Sequence, residues 1–370
     1  MWLLLVALAA AGACQQKHDE ILIGEYGSLT GGTATFGTST HEGVMLALDE
    51  INRDGGLLGK KVQVITEDDQ SKPEEAVTAV LKLIKQNQVQ AVIGEVASSR
   101  SLAAAPVCQS SKIPMISPAS TNPKVTEVGD YIFRACFIDP FQGSTMAKFA
   151  VKKLNAKRLA ILTDKKNDYS VGLTDFFRDT VKKLGGEIVA EESYAEGDIE
   201  FKAQLTSIKA ANPDAIYVPG YYTEAALIAR QARELGITVP LLGGDGWDSP
   251  KTLEIGGQAV EGDYFTNHYS ADEQRPGVQK FIADYRAKYG GKTPDAMAVL
   301  GYDAMKMMAD AIRRAGSTDG PAVRDALAAT KDFAGVSGSI TMDANRNAEK
   351  NIVVLKIEDG RFRFVESIAP

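Results

Sequence analysis

The sequence alternates short apolar runs with amphipathic helical stretches from Ile21 onward, and this alternation constrains the fold more than any other feature. After the first run, residues 21–24, apolar side chains recur at i, i+3, i+4 and i+7, which predicts a helix with one buried face. These side chains are Val44, Ala47, Leu48 and Ile51. Further strands are predicted at 62–65, 91–94, 114–117, 159–162, 187–192, 215–218 and 241–243. Mostly apolar strands that alternate with helices predict parallel sheets covered on both faces.

The strands form two series, which fits a chain of 370 residues because a domain averages about 150 residues. The predicted fold class is therefore α/β, with two doubly wound lobes. The last third instead predicts helices at about 277–289, 296–315 and 321–329, then short strands near 339–341, 352–357 and 362–366. These strands are too few for a third domain, so we expect them to complete the two lobes. In such sheets ligands bind beyond the carboxyl ends of the strands, here across a cleft between the lobes.

The first thirteen residues predict a signal peptide, and hence an exported protein. Residues 2–13 carry no charge, are too few to span a bilayer comfortably, and end in small residues. The sequence Ala11-x-Ala13 satisfies a signal-peptidase site, while the small residues before Cys14 resemble a bacterial lipobox, so lipidation of Cys14 stays open. The basic residues that normally precede such a run are missing, and a mis-assigned start is the alternative. We expect a periplasmic or extracellular location.

The two remaining cysteines, Cys108 and Cys136, leave two interpretations open. In an oxidising compartment they could form a disulfide. They could equally stay as buried free thiols, because sequence spacing alone does not fix the distance between their Cα atoms.

Charge and motifs argue for binding rather than catalysis. A formal net charge of −7 discourages a nucleic-acid partner, which usually needs a basic face. The three histidines have no metal-ligand spacing, and neither G-x-S-x-G nor H-E-x-x-H occurs. The segment 290–293 resembles the end of a phosphate-binding loop, but Arg286 stands where that loop needs its first glycine. We therefore expect no enzyme activity, no catalytic residues, no metal and no cofactor.

Several strand ends carry side chains suited to a small zwitterion. Ser98 and Thr121 each follow a strand and precede a helix, where a carboxylate can bind unpaired N–H groups, although such hydroxyls are ordinarily helix caps. Asp245 follows the strand at 241–243 and could bind an ammonium group. Aromatic residues at comparable loop positions could form the walls of the site, although each is also explained by packing. They are Phe36, Tyr169 and Tyr221.

These motifs occur together in an order that is typical of one family. The segments are 27–31, 43–56, 67–69, 94–101, 116–123, 220–222 and 243–246. On them the chain resembles the leucine/isoleucine/valine-binding proteins of bacterial ABC importers, over roughly residues 21–370. The resemblance implies a type I periplasmic-binding fold whose lobes are joined by three crossing segments. The implied lobes are 21–138 with 268–338, and 139–267 with 339–370.

The resemblance also implies a binding site. Ser98 and Thr121, with backbone groups near Ala119, would hold the carboxylate of an amino acid, and Asp245 would hold its ammonium group. Phe36, Tyr169 and Tyr221 match the aromatic walls. The chain departs from the family in three ways. Asp245 is one methylene shorter than the usual glutamate, Phe36 replaces the tryptophan of some members, and Ser71 and Ala97 replace the cysteine pair of the best-known members.

The function implied is capture of a small branched-chain or similar aliphatic amino acid by hinge closure, and its delivery to a membrane permease. The main alternative keeps the fold in a ligand-sensing subunit for amides, urea or other small solutes. Two less favoured hypotheses are an exported enzyme with a metal-free cleft and a structural surface protein. Binding of a ligand without an ammonium group would favour the sensing subunit.

Overall fold

The computed structural model describes residues 20–370. The signal peptide predicted for residues 1–13 and the lipidation predicted at Cys14 lie outside the described residues. Within residues 20–370, no helix is long and apolar enough to cross a membrane.

The first part of the chain forms a five-stranded sheet that is parallel throughout, in the order β2-β1-β3-β4-β5. Its strands are β1 (Glu20–Gly27), β2 (Lys61–Asp68), β3 (Ala91–Ile93), β4 (Met115–Ser117) and β5 (Ile132–Arg134). The helices between them are α1 (Ala34–Arg53), α2 (Pro73–Lys85), α3 (Ser98–Ser111) and α4 (Lys124–Glu127). Every residue of β3 and β4 is buried, because helices cover both faces of the sheet.

The middle of the chain repeats this alternation. Its strands are β6 (Arg158–Asp164), β7 (Glu187–Tyr194), β8 (Ala215–Tyr217), β9 (Leu241–Gly243) and β10 (Tyr264–Asn267). Its helices are α5 (Asp139–Lys152), α6 (Asp168–Lys183), α7 (Lys202–Ala210), α8 (Tyr222–Glu234) and α9 (Pro250–Gly256). Helix α6 begins at Asp168, where the Asn167 side chain caps it by accepting from Tyr169 N–H at 3.1 Å. This start places Tyr169 in the first turn of the helix.

The last third contains helices α10 (Pro276–Lys288), α11 (Ala296–Ala315) and α12 (Gly320–Ala328). A small antiparallel sheet follows, with β11 (Phe333–Gly335), β12 (Gly338–Met342) and β13 (Ala348–Glu349). The final strands, β14 (Ile352–Glu358) and β15 (Arg361–Ile368), extend the second sheet to the order β15-β14-β10-β9-β8-β6-β7. The predicted α/β class with two doubly wound sheets is confirmed.

The predicted lobe boundaries remain a proposal, which the packing of the small sheet refines. Ile340 and Met342 of β12 lie in the same buried apolar cluster as Val44 of α1 and Met308 of α11. This cluster lines the first sheet, whereas β14 pairs with the second sheet. We therefore propose that the third crossing lies near residue 350 rather than at 338–339.

Candidate functional site

The loop after β4 forms one side of a buried site and is fixed by hydrogen bonds from behind. The hydroxyls of Ser117 and Ser120 both donate to the Glu95 carbonyl oxygen, at 2.6 and 2.9 Å. Ser120 N–H also donates to the Ser117 hydroxyl at 2.9 Å. Residues 117–122 are all buried. The backbone around Ala119 and Thr121 is therefore held in place without any ligand.

Thr121 carries an N–H group that donates to no protein atom among the described residues. Its hydroxyl is buried close to the Asp139 carboxyl, without a hydrogen bond of normal geometry. Buried polar groups are normally paired, so the unpaired N–H group points to an acceptor from outside the chain. An anionic oxygen is the acceptor that gives the strongest such bonds.

Ser98 lies beside Thr121 at the start of α3. Its hydroxyl oxygen accepts from Asn122 N–H at 3.2 Å and donates to no described protein atom. Helix α3 begins at this residue, so the N–H groups of its first turn lack intrahelical partners. Ser98 and Thr121 thus bring free donors and a helix N-terminus to one place, which suits a carboxylate.

Asp245 forms the opposite side of the site, in a short 3₁₀ turn directly after β9. It is buried, and its Oδ1 accepts from Gln142 Nε2 at 2.7 Å and from the Tyr169 hydroxyl at 2.9 Å. Its Oδ2 lies 2.9 Å from His268 Nε2. Burial lowers the pKa of His268 to about 4, so the imidazole is neutral near pH 7 and donates from Nε2. A side chain at Gly244 would clash with the Tyr169 hydroxyl, so glycine there lets Tyr169 reach Asp245.

Asp139 is a second acid in the site, and the sequence analysis missed it. It is the first residue of α5 and is fully buried, and neither carboxyl oxygen has a hydrogen-bond partner of normal geometry. Burial raises its pKa to about 8; the nearby Thr121 hydroxyl opposes this shift and Asp245 adds to it. Asp139 therefore lies between the Thr121 side and the Asp245 side. Its place just beyond the carboxyl end of β5 was the signal that could have identified it.

The three predicted wall residues come together as one aromatic group. The rings of Phe36 and Tyr221 meet edge to face at 5.4 Å between centroids, and Tyr169 stacks on Tyr221 at 5.3 Å. Tyr222, which was not among the predicted site residues, packs edge-on to Phe36 at 4.9 Å. Ala119 belongs to the same buried cluster. This aromatic group forms an apolar wall of the site that contains Thr121, Asp139 and Asp245.

Contacts between the two halves close the cleft around this site. The Thr35 and Ser249 hydroxyls are 2.9 Å apart, and the Ser99 hydroxyl donates to Asp168 at 2.8 Å. The Asn122 side-chain amide also donates to the Asp168 carbonyl oxygen at 2.7 Å. The structure therefore has the two sheets' loops in direct contact.

A separate cavity of about 520 Å³ lies elsewhere, lined among others by Asp248, Tyr269, Arg286 and Phe362. None of the seven predicted ligand residues lines it. Among the buried polar groups that lack partners of normal geometry, Thr121 and Asp139 lie in the cleft beside the predicted ligand residues, so we assign the ligand site to the cleft. Within residues 20–370 no group of three or more His, Cys, Asp or Glu side chains could hold a metal ion.

Cys108 and Cys136 are both buried free thiols. They lie in different apolar clusters, Cys108 with Val80 and Met115, and Cys136 with Tyr169. Burial raises the pKa of the Cys136 thiol to about 12, so it stays protonated.

Comparison with known proteins identifies the family of this chain. The sequence model of the periplasmic binding protein family matches residues 20–361. The chain is 33% identical to the Leu/Ile/Val-binding protein BraC3 of Rhizobium johnstonii, over 88% of each chain. Its fold is similar to that of a leucine-binding protein LivK from Thermotoga maritima, with a TM-score of 0.90, 44% identity and coverage of 95% and 99% of the two chains.

A third similar protein is the branched-chain amino acid transporter substrate-binding protein LivJ from Streptococcus pneumoniae, solved in complex with isoleucine. It has a TM-score of 0.90, 36% identity and coverage of 95% of this chain and 100% of its own. The match of the family model over nearly the whole chain, together with these relatives, shows that the chain belongs to the periplasmic binding protein family.

Proposed function

We propose that this protein is the extracytoplasmic solute-binding component of an ABC importer and captures a small branched-chain or similar aliphatic amino acid. One observation carries the proposal. The buried Thr121 N–H group has no acceptor among the described residues, and the buried Asp139 carboxyl has only the nearby Thr121 hydroxyl as a protein donor, within one closed site. An α-amino acid carries an acceptor and a donor of this kind on the same carbon.

The carboxylate of the amino acid would bind at the Thr121 side. It would accept from the Thr121 hydroxyl and N–H group and from the Ser98 hydroxyl, whose proton has no described protein acceptor. The N-terminus of α3 adds a favourable dipole. These charge-assisted bonds would repay the cost of burying the carboxylate.

The ammonium group would bind between Asp245 and Asp139. Asp245 already accepts from three neutral donors, which hold its carboxyl group in position toward the ligand. The Asp139 carboxyl can accept a hydrogen bond from a further donor, because neither of its oxygens has a partner of normal geometry. A cation between the two acids would offset the burial that raises the pKa of Asp139, and the smaller repulsion from Asp245.

The aliphatic side chain would pack against Phe36, Tyr221 and Tyr222, whose rings are buried and in mutual contact. An apolar side chain gains free energy on such a wall without needing a polar partner. The names of the relatives, which specify leucine, isoleucine and valine, support this class of ligand.

Closure of the cleft would couple binding to transport. The ligand would contact Thr121 on one side and Asp245 on the other, so it would stabilise the closed form through its differential affinity. The Thr35–Ser249 and Ser99–Asp168 contacts form in that closed arrangement. The closed form would then be recognised by a permease. Export by the signal peptide predicted at residues 1–13, with an optional lipid anchor at Cys14, belongs to the same proposal.

A second candidate is a sensing subunit for a neutral solute such as an amide or urea. The observation in its favour is that Asp245 accepts three hydrogen bonds from neutral donors, so it does not depend on a ligand cation. The unpaired carboxyl of Asp139 favours the amino acid over this alternative.

Calorimetric titration with three ligands of one shape tests the amino-acid assignment. Leucine carries both charged groups, leucinamide lacks the carboxylate, and 4-methylpentanoate lacks the ammonium group. We expect leucine to bind at least about 100-fold more tightly than either analogue, because each analogue leaves buried groups unpaired. Leucinamide binding as tightly as leucine would contradict the assignment of Thr121, and tight binding of 4-methylpentanoate would contradict that of Asp245 and Asp139.

A further inference from the structure

Arg134, at the end of β5, is a buried cation bonded almost entirely to backbone carbonyl groups. It is fully buried, and its Nη1 donates to the Ser120 carbonyl oxygen at 2.5 Å. Its Nη2 donates to the Asn122 carbonyl oxygen at 2.8 Å, with longer bonds to Pro123 and to the Thr126 hydroxyl. All of these acceptors lie within residues 120–126, so Arg134 holds the back of the loop that carries Thr121.

The geometry of one peptide unit links Arg134 to the ligand side of this loop. The Ser120 carbonyl and the Thr121 N–H belong to the same planar trans peptide, and they point in opposite directions. Because Arg134 binds the carbonyl from behind, the Thr121 N–H must face away from Arg134. That N–H group is one of the donors without an acceptor in the described protein. Hydrogen bonds in series polarise one another, so the guanidinium also strengthens the N–H as a donor.

The charge of Arg134 has no carboxylate counterpart. No acid lies within ion-pair distance of it in the part of the chain that the structure describes, although Asp139 and Asp343 are near enough to interact over a longer distance. Burial lowers the pKa of the Arg134 guanidinium, as expected for a cation without an ion pair. A buried cation whose partners are all uncharged is costly unless something else supplies negative charge.

We propose that Arg134 is a positioning residue for the ligand carboxylate and that it acts through the Ser120–Thr121 peptide unit. It fixes the Thr121 N–H toward the cleft and supplies the positive charge that the buried carboxylate requires, without touching the ligand. This inference rests on the proposed function, because it assumes a carboxylate-bearing ligand at Thr121.

The test compares Arg134→Gln, which keeps amide donors but removes the charge, with Arg134→Lys, which keeps the charge but cannot bond both carbonyls. Arg233→Gln is the matched control. Arg233 also donates to three carbonyl oxygens, those of Ala259, Ile237 and Val239, but it lies in the second sheet's lobe and pairs with Asp263. Calorimetry gives the Kd for leucine and leucinamide, and thermal unfolding gives the melting temperature of each free variant.

We expect Arg134→Gln to weaken leucine binding by about 10- to 100-fold, as for other buried charge-assisted bonds, and to weaken leucinamide binding much less. Arg134→Lys should lie between wild type and Arg134→Gln. Arg233→Gln should lower the melting temperature and leave the Kd for leucine within about twofold.

An equal loss for leucine and leucinamide, or an unchanged Kd in Arg134→Gln, would overturn the inference. If leucinamide binding is too weak to measure in the wild type, a Kd for Arg134→Lys no better than that for Arg134→Gln overturns it instead. If only one of the two variants folds, its leucine-to-leucinamide preference compared with that of Arg233→Gln decides. Failure of the wild-type protein to bind any amino acid would instead contradict the proposed function.

Discussion

The two sides of the cleft differ in how their polar groups are hydrogen-bonded before a ligand binds. On the side of the first sheet, Thr121 holds a buried N–H group that has no protein acceptor among the described residues, and a hydroxyl near the Asp139 carboxyl. On the side of the second sheet, Asp245 already accepts hydrogen bonds from Gln142, Tyr169 and His268. The key donor of the first side is therefore unpaired without a ligand, whereas both carboxyl oxygens of Asp245 on the second side are already paired within the protein.

Because of this difference, substitutions on the two sides should differ in their effects on ligand binding and on protein stability. Removing an unpaired group should weaken binding with little cost to the fold, because the group makes no protein contact to lose. Removing a group at the centre of a buried network should weaken both, because its partners are left unpaired. Substitutions on the two sides can test this comparison directly.

The largest effect is expected for Asp245→Ala. The variant should lose about 2–5 kcal/mol of ligand binding free energy, as for other buried charge pairs that lose one partner. Its free energy of unfolding should also fall by about 1–3 kcal/mol, because Gln142, Tyr169 and His268 lose their acceptor. Calorimetric titration with leucine and urea denaturation measure the two quantities.

The matched control is Asp263→Ala. Asp263 is also a buried acid beside the second sheet, immediately before β10, and it accepts from Arg233 and from Leu241 N–H, both at 2.8 Å. Its loss should lower the free energy of unfolding and leave the Kd for leucine nearly unchanged. If Asp263→Ala weakened binding as much as Asp245→Ala, a general loosening of the second sheet would explain both results.

On the other side, Thr121→Val replaces the unpaired hydroxyl with a methyl group of similar size. We expect leucine binding to weaken by about 1–2 kcal/mol, since one hydrogen bond to a charged group is lost. The free energy of unfolding should change little, because the hydroxyl makes no protein hydrogen bond of normal geometry and contacts only the Asp139 carboxyl. A marked loss of stability, measured by urea denaturation, would show that the hydroxyl has a protein partner in solution and would remove the contrast between the two sides.

Asp139 lies where the two sides meet, and its ionisation should make the ligand affinity depend on pH. Its pKa is raised to about 8, so the free protein holds this proton at neutral pH. A ligand ammonium group would lower that pKa, and binding would release the proton. Affinity should therefore rise with pH between about pH 6 and pH 8, by at most about tenfold per unit.

Titrations in phosphate and in Tris, which differ in ionisation enthalpy, measure this proton release at about pH 7. Asp139→Asn cannot ionise and should bind with no proton release and a flat profile over the same range. If the wild-type protein released no proton, Asp139 would already be ionised or would lie too far from the ammonium group.

The sequence predicted the architecture well because the signal is local and repeated. Apolar runs at 91–94, 114–117 and 241–243 coincide with strands that are buried on both faces. The seven site residues were predicted because they lie in loops after such strands or match binding residues of the family that the sequence resembles. The structure brings them into one buried region. Their contact with a ligand remains a prediction.

The partners of those residues could not be predicted, because they depend on distant pairings. Gln142 and His268 reach Asp245 from positions 103 and 23 residues away in the chain. Arg134 contacts the loop that carries Thr121 from the side away from the cleft. Its proposed positioning role follows only from the direction of the Ser120 carbonyl group. Asp139 has no motif of its own beyond its place after a strand. Sequence patterns locate the strand ends, but the structure is needed to show which groups remain unpaired there.

The smallest expected effect concerns closure itself. Thr35 and Ser249 lie on opposite sides of the cleft, with their hydroxyl oxygens 2.9 Å apart, and neither has been assigned to the ligand. Thr35→Val should weaken leucine binding by only about 0.5–1 kcal/mol, because it removes a hydrogen bond formed in the closed arrangement. The loss should appear in the dissociation rate, measured by stopped-flow tyrosine fluorescence, while the association rate changes little. A slower association with an unchanged dissociation rate would place this contact in the encounter with the ligand rather than in the closed state.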